Sequence, residues 1–102
     1  MENRKPRYPL GDIQTQMVDV ESLRLTNSAR NSILFELRWE LEDAIQVVQG
    51  LRSKDFYKSM TTMQNYKIWQ DVYHATWRGT DIYLKFQRHE DAYYFTVSFK
   101  EL

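Results

Sequence analysis

Up to Leu51 the apolar residues recur every three or four positions, and beyond Lys54 they alternate with polar ones. The first spacing is that of helices with one buried face; the second is that of strands. Asp12 can cap a helix over roughly 13–20 that buries Ile13, Met17 and Val20. Leu23-Arg24-Leu25 reads as a short extended piece. Thr26, Asn27 and Ser28 are all good N-cap residues, so a second helix begins there, with Ala29, Ile33, Leu34 and Leu37 as its stripe. A third covers about 41–49, with Leu41, Ala44, Ile45 and Val48 inward. Gly50 is expected to end it in the left-handed conformation, with Leu51 closing over the last turn. Glu40, Glu42 and Asp43 lie near its start, where the helix dipole favours negative charge, and need no metal to explain them.

Four strands are expected after that, at about 56–62, 68–74, 80–88 and 93–100. They are short, aromatic and β-branched, with tight polar connections, which favours an antiparallel meander. Helices first and strands second give an α+β fold, with N-terminal helices packed on a mainly antiparallel twisted sheet. The whole of 1–102 is expected to be one domain. Residues 1–9, with Pro6 and Pro9, read as a mobile or loosely docked arm.

Alternation fixes register, because a slip of one residue inverts a strand. Placing a tight turn at Glu90-Asp91 pairs Leu84 with Val97, Phe86 with Phe95, Tyr83 with Ser98 and Asp81 with Lys100. Lys100 then lies diagonally beside Tyr83 on the polar face. In the first hairpin, Lys58 and Gln70 share a face only if the loop near 63–67 has an odd number of residues. Both are polar residues inside strand-like apolar runs, and such breaks in patterning are expected where a site is built.

Composition changes the picture by exclusion. The chain has 102 residues and no cysteine, which removes disulfides and thiolate metal sites. No apolar run is long enough to span a membrane, and no signal segment follows Met1, so a cytoplasmic location is the default. Basic and acidic residues number 14 each, which argues against a large non-specific grip on nucleic acid. The two halves differ: residues 1–51 carry 6 basic and 8 acidic side chains, and 52–102 carry 8 and 6. A mildly basic second half suits a short stretch of phosphates, although ordinary surface charge gives the same tally.

No Gly-rich phosphate loop or nucleophile triad is present. His89 reads as a surface turn residue. His74 is expected to end a strand, where it could reach a ligand; two distant histidines offer no chelating pattern, so no metal is expected. The polar set that remains on the sheet is Lys58, Gln70, Tyr83 and Lys100.

Asp55-Phe56-Tyr57-Lys58-Ser59-Met60-Thr61-Thr62, then Ile68-Trp69-Gln70-Asp71-Val72-Tyr73, Tyr83-Leu84-Lys85 and Val97-Ser98-Phe99-Lys100-Glu101 resemble the MqsR family of toxins from type II toxin–antitoxin systems. The resemblance is dense from Asp55 to Tyr73, good in the last two strands and thin before Leu51. It implies a RelE-like fold and an mRNA interferase that cuts messenger RNA at short GC-containing sequences. It implies a cognate antitoxin, zinc-binding in that family, and no direct DNA binding by the toxin alone. The family's catalytic residues fall on Lys58, Gln70, Tyr83 and Lys100. No cofactor is implied.

RNA cleavage of this kind uses the neighbouring ribose 2′-OH as nucleophile and leaves a 2′,3′-cyclic phosphate (or 3′-phosphate) and a 5′-OH. The site needs a base, charge stabilisation for the transition state and a proton for the leaving oxygen. A lysine serves as base only if its pKa falls through burial or a nearby cation; otherwise it clamps phosphate. Tyr57, Trp69, Tyr73 and Trp77 are candidates to stack on bases, and Arg78 and Lys85 to line the groove, against the plainer reading that the aromatics are core and the cations solvated. The rival function is a catalytically silent module that binds RNA or protein on the same sheet.

Overall fold

The computed structural model describes residues 2–88 and 93–102. Its elements run β1 (Glu2–Asn3), α1 (Leu10–Gln16), α2 (Asn27–Asn31), a π-helical turn (Ser32–Glu36), α3 (Leu41–Gly50), a 3-10 turn (Ser53–Asp55), β2 (Phe56–Thr61), β3 (Trp69–Trp77), β4 (Thr80–Gln87) and β5 (Thr96–Glu101). The strands form one antiparallel sheet in the order β1-β2-β3-β4-β5, with an isolated parallel bridge from Leu25 to Val97. Helices cover one face of the sheet. Tyr73, Ile82, Leu84, Phe86, Val97 and Phe99 pack there against Ile13, Met17, Ala29, Ile33, Val47 and Val48. The expected α+β fold is therefore present, as is the RelE-like arrangement of helices on a meander.

The helix ends differ from expectation for local reasons. α1 begins at Leu10, with Pro9 as its N-cap at φ −62°, so Asp12 lies inside the first turn rather than at the cap. It stops at Gln16 because Ser22 draws the chain into a turn. The Ser22 hydroxyl accepts the amides of Val18 and Asp19, and the Asp19 carboxylate accepts the amide of Ser22 at 2.8 Å. Such side-chain bonds offer the backbone an alternative to the helix. Thr26 caps α2 as expected, its hydroxyl accepting the Ala29 amide at 3.1 Å. That helix widens into the π-helical turn and ends at Arg38, which is left-handed at φ 58°. Gly50 is not left-handed. The terminal carbonyls of α3 are met instead by the Gln14 side-chain amide, which donates to Val48 and Leu51 at 3.1 and 3.0 Å.

The N-terminal arm is docked. Glu2 and Asn3 pair with Met60 and Ser59, and Tyr8 is buried. The amides of Arg7 and Tyr8 donate to the carboxylate of Asp71 at 3.0 and 2.9 Å, and the Ser59 hydroxyl adds a third bond at 2.7 Å. Asp71 is fully buried at the centre of the sheet, and these three donors satisfy it.

Register follows the expected faces but not every expected pair. Tyr83 lies directly opposite Lys100, Leu84 opposite Phe99 and Phe86 opposite Val97. β5 is thus shifted two residues from the predicted pairing, which keeps each side chain on its face. Asp81 bonds Thr76 rather than meeting Lys100. β5 starts only at Thr96 because the Gln16 side chain takes up the Phe95 amide at 3.0 Å. The turn expected at Glu90-Asp91, and His89, lie outside the described residues.

Candidate active site

The open face of the sheet is set by one irregularity. Phe56 pairs with Tyr73, but Lys58 pairs with Val72, so Tyr57 is an extra residue in β2. A bulge of this kind lets two consecutive side chains point the same way. Phe56 packs toward the helices, while Tyr57 and Lys58 both reach the open face. Simple alternation puts Phe56 and Lys58 together; the bulge separates them. Beyond it, Met60 lies opposite Gln70, so Lys58 and Gln70 do share a face, and the connection is odd in length as the condition required.

The open face carries a continuous belt across the strands. Lys58 Nζ lies 5.7 Å from the Tyr57 ring centre. Tyr57 stacks on His74 at 4.3 Å with 19° between planes. His74 stands opposite Tyr83 in register, with ring centres 5.6 Å apart. Lys100 Nζ lies 5.3 Å over the Tyr83 ring. A hydroxyl and two ammonium groups are thus brought together around an imidazole. Burial raises the Tyr83 pKa above its ordinary value; Lys58 opposes that shift and Tyr57 adds to it. Lys58 therefore acts electrostatically on the Tyr83 hydroxyl. Its ammonium is also paired with Glu2 of β1 at 3.3 Å.

Gln70 is on the same face but further along. It stands four residues up β3 from His74, roughly 14 Å at the rise of an extended strand. There its amide donates to Gln87 at 2.7 Å. With Lys85, Met60 and the loop at Met63–Asn65, this pair lines a groove of about 690 Å³. A second hollow of about 270 Å³, lined by Glu2, Asn3, Arg4, Tyr57 and Lys58, lies at the β1 side.

Several residues expected to meet RNA belong elsewhere. Tyr73 is in the core, 1% exposed, packed edge-on against Phe56 and Phe86, because it alternates onto the helix-covered face. It has no surface for a base. Trp77 shares that parity and lines a different cleft, of about 430 Å³, with Arg52, Lys54 and the end of α3. Arg78 is in the hairpin turn at φ 49° and pairs with Asp43 at 3.6 Å. Neither Trp77 nor Arg78 lies on the open face. Tyr57 and Lys85 do. His74 is not at a strand end but in the middle of β3, at the centre of the belt. Its parity with Gln70 was the available signal. Among the described residues, no group of three or more histidine, aspartate or glutamate side chains could hold a metal ion. Among the same residues, no helix is long and apolar enough to cross a membrane.

Comparison with known proteins gives the class first: the mRNA interferase toxins, endoribonucleases of toxin–antitoxin pairs. A curated Escherichia coli (strain K12) protein named mRNA interferase toxin MqsR is 38% identical over 101 residues, spanning 99% of each chain. The family described as motility quorum-sensing regulator, toxin of MqsA, matches residues 5–101. This chain belongs to the MqsR toxin family.

Proposed function

We propose that this protein cleaves messenger RNA without a metal ion, by attack of a ribose 2′-OH on the adjacent phosphodiester, at short GC-containing sequences in the cytoplasm. A cognate antitoxin neutralises it. The observation that carries the reading is the belt itself: Lys58, Tyr83 and Lys100, from three different strands, converge on one open face, with Lys58 acting on the Tyr83 hydroxyl. Preorganised donors around a developing oxyanion are the largest usual contribution to such a step.

Each residue has a role that its position suggests. Lys58 and Lys100 hold the scissile phosphate and offset the charge that grows on its oxygens. Tyr83, kept protonated by its burial, donates to the leaving 5′ oxygen. Gln70, roughly 14 Å along β3 from His74 and beside Gln87 and Lys85, positions a nucleotide further along the strand rather than the reacting phosphorus. Tyr57 offers an exposed ring for base stacking, and Lys85 a cation for the backbone. DNA lacks the 2′-OH and is not cut.

The test is end-mapping of cellular transcripts after induced expression of wild-type, Lys58→Ala and Lys100→Ala proteins. New 5′-OH ends at GC-containing sites with the wild type, and their loss in both variants, support the reading. RNA binding without new ends identifies a silent binding module instead.

A further inference from the structure

We propose that His74 is a further catalytic residue, the base whose Nε2 takes the proton from the attacking 2′-OH; this rests on the ribonuclease reading above. Three observations converge on it. The imidazole stands at the centre of the belt, between the Tyr57 ring at 4.3 Å and the Tyr83 ring at 5.6 Å. The two lysines flank it, one over each of those tyrosines. Its Nε2 is buried and has no hydrogen-bond partner among the described residues, which is costly for a polar atom unless a ligand supplies the partner.

Chemistry favours the imidazole for this task. Lysine and tyrosine side chains ordinarily titrate near 10, so at neutral pH they carry their protons and serve as clamp and acid. An imidazole ordinarily titrates at about 6.5 and is the side chain best matched to accepting a proton near neutrality. The groups facing it are Tyr57 and Lys58 on β2, Tyr83 and Asp81 on β4, Lys100 on β5 and Asp55 at the entry to β2. The Tyr57 ring stacked on it is itself 53% exposed at the bulge, and His74 lines a hollow of about 310 Å³ with Asp55, Thr76 and Asp81.

The step balances. Nε2 takes the 2′-OH proton as the O2′–P bond forms. The P–O5′ bond breaks, and the leaving oxygen takes a proton from the Tyr83 hydroxyl. Solvent then returns a proton to Tyr83 and removes the one on His74. The products are a 2′,3′-cyclic phosphate and a 5′-OH.

The experiment is a pH profile of kcat/KM between roughly pH 5 and 9. The substrate is a short single-stranded RNA carrying a site mapped in cells, in EDTA. Wild type, His74→Phe, His74→Gln and His89→Gln are compared. Phenylalanine keeps the ring stack but cannot accept a proton. The expected result is an acid limb in wild type and in His89→Gln. His74→Phe should melt like wild type and bind the 2′-deoxy analogue within a few fold. Its kcat should fall by about 10²–10⁴, with no acid limb in what remains. The inference is overturned if His74→Phe stays within about threefold of wild type, where loss of a general base costs at least ~10². A limb that persists without His74, or that belongs to His89, also overturns it, as does loss of cooperative melting in both His74 variants. Wild-type protein that leaves RNA intact overturns the ribonuclease reading as well, whereas active wild type with an unchanged limb in His74→Phe overturns this inference alone.

Discussion

Lys58 reaches the open face with its ammonium already held by Glu2, at 3.3 Å. Glu2 is largely exposed, so the pair contributes little to stability, about 0.2–1 kcal/mol. On the proposed mechanism, however, it competes with phosphate. Glu2→Gln should tighten binding of a non-cleavable 2′-deoxy oligonucleotide by up to about fivefold at low salt, the equivalent of that energy, measured by fluorescence anisotropy. Asp71 is the opposite case. It is buried, and its carboxylate satisfies two backbone amides and a hydroxyl. Asp71→Ala leaves those donors unmet and should lower stability by about 3 kcal/mol in urea unfolding. In sequence Asp71 looked like part of a family word beside Gln70; nothing local said that it pins residues 7 and 8, 63 and more positions away.

At the scale of the elements, the spacing of apolar residues was enough to give three helical segments and a meander. It was also enough to give the correct faces of β4 and β5. What periodicity misses is an extra residue. The bulge at Tyr57 moves Lys58 from the parity of Phe56 to the open face, and no composition rule marks where a bulge falls. Helix ends were displaced wherever a distant or neighbouring side chain satisfied the backbone. Gln14 closes α3 in place of a left-handed Gly50, and Ser22 cuts α1 short. Of the candidate site, Lys58 was legible as a polar residue inside an apolar run, and Tyr83 and Lys100 as neighbours on the polar face of the last hairpin. Tyr73 and Trp77 were misplaced because an aromatic gives the same signal in a core as on a binding face. The left-handed Gly79, at φ 81°, closes the β3–β4 hairpin with Arg78. Gly79→Ala should cost about 1 kcal/mol by thermal or urea melting, because a Cβ is strained there even though the surrounding space is open.

For the whole molecule, zero net charge hides an uneven distribution. Lys58, Lys85 and Lys100 all project from the uncovered face, while the acids at the start of α3 lie on the helical side. RNA binding by three cations should follow the logarithm of salt concentration with a slope of about −2, shallow for a nucleic-acid protein. Stability carries its own pH signature. Burial, with Asp71 and Asp55 nearby, pushes the Tyr73 phenol up to about 12 from 10.0. The folded state therefore keeps a proton that the unfolded chain gives up. Its contribution is complete below pH 10 and is lost as pH rises toward 12, so urea midpoints should fall across that window. Tyr73→Phe should flatten that fall.

In the proposed reaction a 2′-oxygen does the attacking with only side chains to help it. Purified protein incubated in EDTA with paired oligonucleotides, one all RNA and one carrying a single 2′-deoxy nucleotide at the mapped site, tests this directly. Cleavage of the first to a 2′,3′-cyclic phosphate and a 5′-OH, with the second left whole, is the predicted result. Cutting of the deoxy-substituted strand at the same bond, or cutting that returns only when magnesium is added, would contradict it.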